Sequence, residues 1–88
     1  MNGGKPLIEY PTHYTFKAMG LAAAGFRELV RKLVEDVMGA LADDALEERP
    51  SSAGKYLSIN VHVFLQNEDQ RRKVYEAFHG EKSIVWYV

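Results

Sequence analysis

The 88-residue chain contains no cysteine, only three prolines and almost no excess of charge of either sign. The absence of cysteine excludes disulfide bonds, thiolate zinc sites and thiol nucleophiles, and it is typical of proteins from a reducing compartment. The 11 basic and 12 acidic residues leave a formal charge of -1, whereas proteins that bind a phosphate backbone usually have a basic excess. Nucleic acid is therefore an unfavoured partner.

The N-terminal residues also lack the apolar run that a secretory signal or a membrane span requires. We therefore expect a cytoplasmic protein that does not bind membranes. Gly3, Gly4 and Pro6 predict a flexible lead-in over residues 1–10. A single domain is expected over residues 11–88, because a chain of this length can bury one hydrophobic core and no more.

Two segments have the periodicity of helices. Eight apolar residues between Phe26 and Leu41 recur at intervals of three and four, which places them on one helical face. The second helix is predicted between an N-cap at Asn67 and a stop at Gly80, with acidic residues in its first turn. Each helix therefore has one apolar side to bury against a sheet.

The other segments have the signals of strands. Strict alternation predicts a long strand from Tyr56 to Leu65 and a shorter one from His13 to Met19. A weak edge strand is expected over residues 45–49 and a final strand over 83–88, where either side can face the core. This order predicts an α+β, ferredoxin-like βαββαβ sandwich, in which a four-stranded antiparallel sheet carries two helices on one face.

Such a fold leaves the other face of the sheet uncovered. Because the aliphatic side of the long strand must pack on the helices, the alternate side chains point outward. The outward-facing candidates are Thr15, Lys17, Tyr56, Ser58, Asn60, His62 and Phe64. A surface with polar groups in its middle and aromatic rings toward its ends can bind a protein partner or form a weak homodimer.

Residues typical of catalysis occur in the wrong arrangement for it. The three histidines have no spacing typical of metal ligands. Glu47 and Glu48 are neighbours in a strand and therefore point to opposite faces, which does not suit acid–base catalysis by a carboxylate pair. Ser51 and Ser52 have no paired histidine and carboxylate nearby in the sequence, and we interpret them as turn residues. We expect neither an enzyme nor a cofactor.

Three segments resemble one known family. Residues 7–20 read LIEYPTHYTFKAMG, residues 50–56 read PSSAGKY, and Ile84 and Val85 stand near the end. These are similar to the YbeD family, small bacterial proteins of unknown function, over nearly the whole chain. The resemblance implies a ferredoxin-like fold similar to the amino-acid-sensing ACT domains, a regulatory role in the cytoplasm and no assigned catalytic residues. The chain departs from the family in its longer, apolar loop at 20–25 and in the charges at Glu68 and Arg71.

Three functional interpretations follow. We favour a non-catalytic regulatory or protein-interaction module that uses the open sheet face. The ACT likeness adds a small-molecule effector bound where the first strand turns into the first helix, with Gly20 letting the ligand approach the backbone. The alternative is an RRM-like domain for single-stranded RNA, because Lys55 and Tyr56 resemble the start of the base-stacking motif. Leu57 stands where that motif has glycine or alanine.

Overall fold

The computed structural model describes residues 8–88, so residues 1–7 of the predicted lead-in lie outside the described part of the chain. The element order is the predicted one, and it confirms the ferredoxin-like fold. The elements are β1 (Thr12–Leu21), α1 (Phe26–Met38), a 3-10 turn (Asp43–Ala45), β2 (Leu46–Pro50), β3 (Tyr56–Leu65), α2 (Glu68–His79) and β4 (Trp86–Tyr87). Within this range no helix is long and apolar enough to cross a membrane.

The four strands form one antiparallel sheet in the order β2-β3-β1-β4. The two central strands pair along their whole length, with Thr12 opposite Leu65 and Leu21 opposite Tyr56. β4 covers β1 only near its end, where Ala18 and Met19 are its ladder partners. Because directly opposite residues share a face, this register fixes which side chains meet on each side of the sheet.

Both helices cover the same face of the sheet. The even-numbered residues of β1 and the odd-numbered residues of β3 point into this layer, as the alternation predicted, and each fully buried aliphatic or aromatic side chain contributes about 1.5–3 kcal/mol. The core consists of Phe16, Ala18, Phe26, Val30, Val34, Leu46, Ile59, Val61, Val63, Leu65, Val74, Phe78 and Ile84.

The first helix is three residues shorter than its apolar periodicity predicted. It ends at Met38 because Gly39 combines a φ of 88° with an extended ψ of -178°, a conformation that glycine adopts readily and that turns the chain out of the helix. Leu41, the last residue of the apolar series, lies beyond this end and still packs against the core. Its backbone N–H donates to the Glu35 carboxylate at 2.8 Å, so a side chain replaces the missing helical partner.

The second helix begins and ends as predicted. The side-chain oxygen of Asn67 accepts a hydrogen bond from the backbone N–H of Gln70 at 2.9 Å, which satisfies one of the free donors of the first turn. His79 is the last helical residue, and Gly80 follows it. The N-cap and stop signals therefore located this helix correctly.

The final strand is shorter than the predicted 83–88, and its faces are now defined. Ile84 is buried before the strand begins, because the chain first makes a turn in which the N–H of Ile84 donates to the Glu81 carbonyl at 3.1 Å. Tyr87 packs on the helix side, against the Phe78 ring. Trp86 is opposite Met19 and lies on the other face of the sheet.

Candidate functional site

The face of the sheet opposite the helices, called the open face below, bears side chains from all four strands. The register defines its members as His13, Thr15, Lys17, Met19 and Leu21 of β1, Tyr56, Ser58, Asn60, His62 and Phe64 of β3, Glu47 and Arg49 of β2, Trp86 of β4 and the following Val88. All seven outward-facing residues that the alternation predicted lie on it. Their role in binding stays a prediction.

The open face has two distinct ends. Tyr56 and Phe64 are eight residues apart on β3, which corresponds to roughly 26 Å along a strand. Near Phe64 the ring of His13 packs at a centroid distance of 4.9 Å. A compact anchor from a partner can therefore contact one of these two aromatic residues, not both.

The end of the open face near Tyr56 is apolar. Leu21 is directly opposite Tyr56, and Met19 lies between Ser58 and Trp86. With Val88, which pairs with Lys17, they form what we call the apolar cluster: Met19, Leu21, Tyr56, Trp86 and Val88. The side chains of Leu21, Trp86 and Val88 are 55%, 47% and 56% exposed. An exposed apolar group of this kind on a small domain is typical of an interaction site.

The middle of the open face is a polar network centred on His62. Its Nε2 lies 2.8 Å from a carboxylate oxygen of Glu47, and its Nδ1 lies 2.8 Å from the Thr15 hydroxyl oxygen. The hydrogen bond with His62 lowers the pKa of the Glu47 carboxyl. A hydroxyl, an imidazole and a carboxylate also act together in hydrolases, but electrostatic catalysis relies on a water-excluded site. Here all three side chains are exposed, so we interpret the network as one that orients the His62 ring.

The cations of the molecule divide into two groups. Those on the two helices all have a carboxylate within 4 Å; they are Arg27, Arg31, Lys32, Arg71, Arg72 and Lys73. Among residues 8–88 the remaining four, Lys17, Arg49, Lys55 and Lys82, have no such partner. Lys17 and Arg49 lie on the open face, and the Lys55 ammonium lies 5.5 Å from the Tyr56 ring centroid. The apolar cluster therefore has a basic rim without a close ion pair, although Arg49 helps to lower the pKa of Glu47 on the same face.

Gly20, the residue expected to admit an effector, lies on the helix side of β1 and is buried. A β-carbon added there would lie 2.2 Å from the Ser83 carbonyl oxygen and 2.6 Å from the Phe26 ring. The protein itself thus fills the space next to the Gly20 backbone, so a ligand cannot approach the chain at this residue. Glycine is required here for packing, because any side chain would collide with the segment before β4.

A pocket of about 300 Å³ lies beside Gly20, at the junction of β1 and α1. Its walls are mostly apolar and include Leu21, Phe26, Leu29 and Val85. Leu21 therefore contributes to both this pocket and the apolar cluster. The two sites are in direct contact through one side chain.

The charged side chains of Glu68 and Arg71, which depart from the family pattern, form hydrogen bonds with tyrosines. The Tyr10 hydroxyl donates to the Glu68 carboxylate at 2.5 Å, and Arg71 Nε donates to the Tyr14 hydroxyl at 3.1 Å. The Arg71 guanidinium also lies 5.2 Å from the Tyr75 ring centroid. Burial raises the pKa of Tyr10 to about 12, and the hydrogen bond to Glu68 adds to this. These contacts attach the segment before β1 to α2.

The three histidines do not form one site, because His13 and His62 line one pocket at the open face whereas His79 is the last residue of α2. His13 packs on Phe64, His62 is bonded to Glu47, and His79 Nδ1 lies 3.1 Å from the Tyr87 hydroxyl. Within the described range, no three histidine, aspartate or glutamate side chains converge in a way that could hold a metal ion.

The fold and this surface define a small ferredoxin-like α+β domain with an exposed, partly apolar sheet face. The chain belongs to the family described as "Protein of unknown function (DUF493)", whose model matches residues 5–88. Relatives named "UPF0250 protein" include one from Leptothrix cholodnii, 35% identical over 89% of this chain and 86% of that protein, and one from Erwinia tasmaniensis, 40% identical over 92% and 90%. UPF0250 is the YbeD family, so the resemblance is confirmed.

A solved structure shares the fold. The solution structure of protein HP0495 from H. pylori matches with a TM-score of 0.74 and 20% sequence identity, covering 99% of this chain and 91% of that chain. At this identity the likeness concerns the arrangement of helices and strands alone.

Sequence reasoning missed half of the open face. The residues absent from the predicted set are His13, Met19, Leu21, Trp86 and Val88, together with Glu47 and Arg49 of β2. The alternation of β1 continues through Met19 to Leu21, which was a usable signal that Gly20 obscured. For the last strand no signal existed, because its side chains are apolar on both faces.

Proposed function

We propose that this protein is a non-catalytic interaction module that binds an acidic segment of a partner protein on the open face. The observation that carries the proposal is the apolar cluster with its basic rim. Every described cation on the helices has a carboxylate within 4 Å, whereas Lys17, Arg49 and Lys55 around the cluster have none that close. The free charge and the exposed apolar area therefore coincide on one part of the surface.

The chemistry of this region defines the partner. Trp86 and Leu21 supply apolar anchors, and buried tryptophans are frequent sites of large binding energy. A partner that covers them brings its own side chains next to Lys17 and Arg49, so carboxylates there gain charge-assisted contacts. Since exposed charges act mainly on the rate of association, we expect binding to weaken with salt. An acidic segment with aromatic or aliphatic side chains meets both requirements.

The arrangement supports a protein partner over RNA. RRM domains stack bases on aromatic rings at the centre of the two middle strands. In this protein the centre is occupied by Thr15, Lys17, Asn60 and His62, and the aromatic residues lie toward the ends. The open face therefore offers cations to an RNA strand, but it lacks the central aromatic rings on which RRM domains stack bases.

Trp86 makes the proposal directly measurable, because it is the single tryptophan of the chain. The probe is a synthetic 12-residue peptide of glutamate, leucine and phenylalanine, titrated into the full-length protein while tryptophan fluorescence is recorded. We expect a blue shift of the emission and binding at least tenfold weaker in 300 mM than in 50 mM salt. A peptide with lysine in place of glutamate should not bind.

Two matched triple variants test the location. The variant Lys17→Glu/Arg49→Glu/Lys55→Glu should abolish binding. The control changes three helix cations, Lys32, Arg72 and Lys73, to glutamate, which gives the same net charge. This control should still bind the peptide. Equal loss in both variants would show that net charge alone drives the interaction and would refute the site. Tighter binding of single-stranded oligouridine than of the peptide would favour the RNA alternative. A fluorescence shift that depends on protein concentration alone would show self-association instead.

The pocket at the β1–α1 junction favours a second candidate function, regulation of this surface by a small molecule. Leu21 lines the pocket and belongs to the apolar cluster, so a molecule that displaces its side chain would alter partner binding. The test is a thermal-shift screen against amino acids, since a ligand specific to the folded state raises Tm. Ala24→Phe, at the rim of the pocket, should remove any shift. No shift with any amino acid would reject this class of effector.

A further inference from the structure

A second surface, independent of the open face, lies along the outer edge of β1. Lys17 exchanges two backbone hydrogen bonds with Val88, at 2.8 and 2.9 Å, on the side of β1 away from β3. In an antiparallel strand the backbone groups of alternate residues point to the same edge. The N–H and C=O groups of His13 and Thr15 therefore point outward as well, and among residues 8–88 no backbone group pairs with them.

The two edges of the sheet differ in how they are protected. β2, the other edge strand, has the sequence LEERP, and charges and proline are the usual means of preventing unwanted strand pairing. The uncovered half of β1, Thr12–Phe16, has the sequence THYTF, with no charged residue and mostly strand-forming side chains. This edge is therefore suited to accept another strand.

A groove between α2 and β4 lies on the helix side of the sheet, and one of its residues, Tyr75, has its hydroxyl 2.8 Å from that of Tyr14 on β1. It has a volume of about 420 Å³, and its walls include Tyr75 and Tyr87. Its charges are balanced, because Arg71 pairs with Glu68 at 2.9 Å and Arg72 with Glu76 at 2.7 Å. Tyr87 of β4 already points toward α2, so a strand placed in line with β4 would direct its next inward side chain toward this groove.

We propose that the edge of β1 over Thr12–Phe16 binds an extended, uncharged segment of a partner protein, which adds a strand in line with β4. The backbone of His13 and Thr15 supplies the donors and acceptors, as in other cases of β-strand addition. An aromatic or aliphatic side chain of the segment fills the groove beside Tyr75. The balanced charges of the groove distinguish this segment from the acidic one assigned to the open face.

The probe is a phage-displayed library of nine-residue peptides, selected on the full-length protein. We expect the selected peptides to be rich in β-branched and aromatic residues, without excess aspartate or glutamate. A synthetic copy should slow hydrogen exchange of the His13 and Thr15 amides at least tenfold, measured by NMR. Thr15→Pro should weaken binding at least tenfold, because it removes an outward N–H that has no backbone partner among residues 8–88. Arg49→Glu, on the open face, should bind like the wild type.

Three kinds of result would overturn the proposal. Selected peptides that bind Thr15→Pro normally, or that leave both amides in fast exchange, would place the site elsewhere, and loss of binding in Arg49→Glu would place it on the open face. If Thr15→Pro unfolds, the amide exchange of the wild type decides alone. Slow exchange of both amides without peptide would show that the edge is already occupied. If the exchange rate depends on protein concentration, the occupant is a second copy of the protein; if it does not, the occupant is the chain itself.

Discussion

Replacing Gly20 by alanine should destabilise the protein strongly, although it adds a single methyl group. The new carbon would lie 2.2 Å from the Ser83 carbonyl oxygen and less than 3 Å from two carbons of the Phe26 ring. The first contact is with backbone and the second is with a buried ring that is 4% exposed. Neither neighbour can move without displacing the segment before β4 or the start of α1.

The expected cost follows from this geometry. Overpacking a well-filled core costs typically about 1–3 kcal/mol, and a backbone contact this short places Gly20→Ala at the upper end, near 3 kcal/mol. Domains of this size lose roughly 4–8 °C in Tm per kcal/mol, so Tm should fall by about 12–24 °C. Urea unfolding followed by circular dichroism gives the free energy directly, and a thermal scan gives Tm.

Gly80→Ala is the matched control. Gly80 has a φ of -80°, and the nearest atom to an added β-carbon is 3.6 Å away, so alanine fits without strain. We expect this variant to be neutral or slightly stabilised, by up to about 1 kcal/mol. Should Gly20→Ala lose less than about 0.5 kcal/mol, the packing role of Gly20 would be refuted and a glycine kept for ligand access would regain support.

Three further predictions concern stability. Asn67→Ala removes the cap on the Gln70 amide and should cost about 1 kcal/mol in urea unfolding. Phe16→Ala empties the centre of the core and should cost about 3–5 kcal/mol. Tyr10→Phe should weaken the pH dependence of stability. The hydrogen bond from Tyr10 lowers the pKa of Glu68 below its usual 4.5. The stabilisation from ionised Glu68 is therefore complete above pH 4.5 and is lost as the pH falls through the lowered pKa.

Each of these has a control and a contradicting result. Ser52→Ala, in an exposed turn, should change stability little, and an equal loss there would deny the capping role of Asn67. Phe64→Ala, on the open face, should cost far less than Phe16→Ala, and similar losses would contradict the assignment of faces. Tyr56→Phe should keep the wild-type slope of stability between pH 3 and pH 6. The hypothesis fails if Tyr10→Phe keeps that slope too.

Local signals accounted for most of the fold. The alternation from Tyr56 to Leu65 matched β3 at both ends, and Asn67 marked the start of α2. These predictions succeeded because alternation and capping depend on residues a few positions apart. The end of α1 was missed because its apolar periodicity continued to Leu41, whereas the backbone conformation of Gly39 ended the helix at Met38.

The sequence by itself determined the layered fold, the family and the central residues of the open face, because side-chain periodicity specifies which side of each element is buried. Only the tertiary structure decided that Trp86 lies on the same face as Leu21 and Tyr56 and that Glu47 contacts His62. It also decided that other parts of the chain fill the space beside Gly20. These facts depend on strand register and on how closely distant segments approach. Neither quantity is encoded in the spacing of residues along one element.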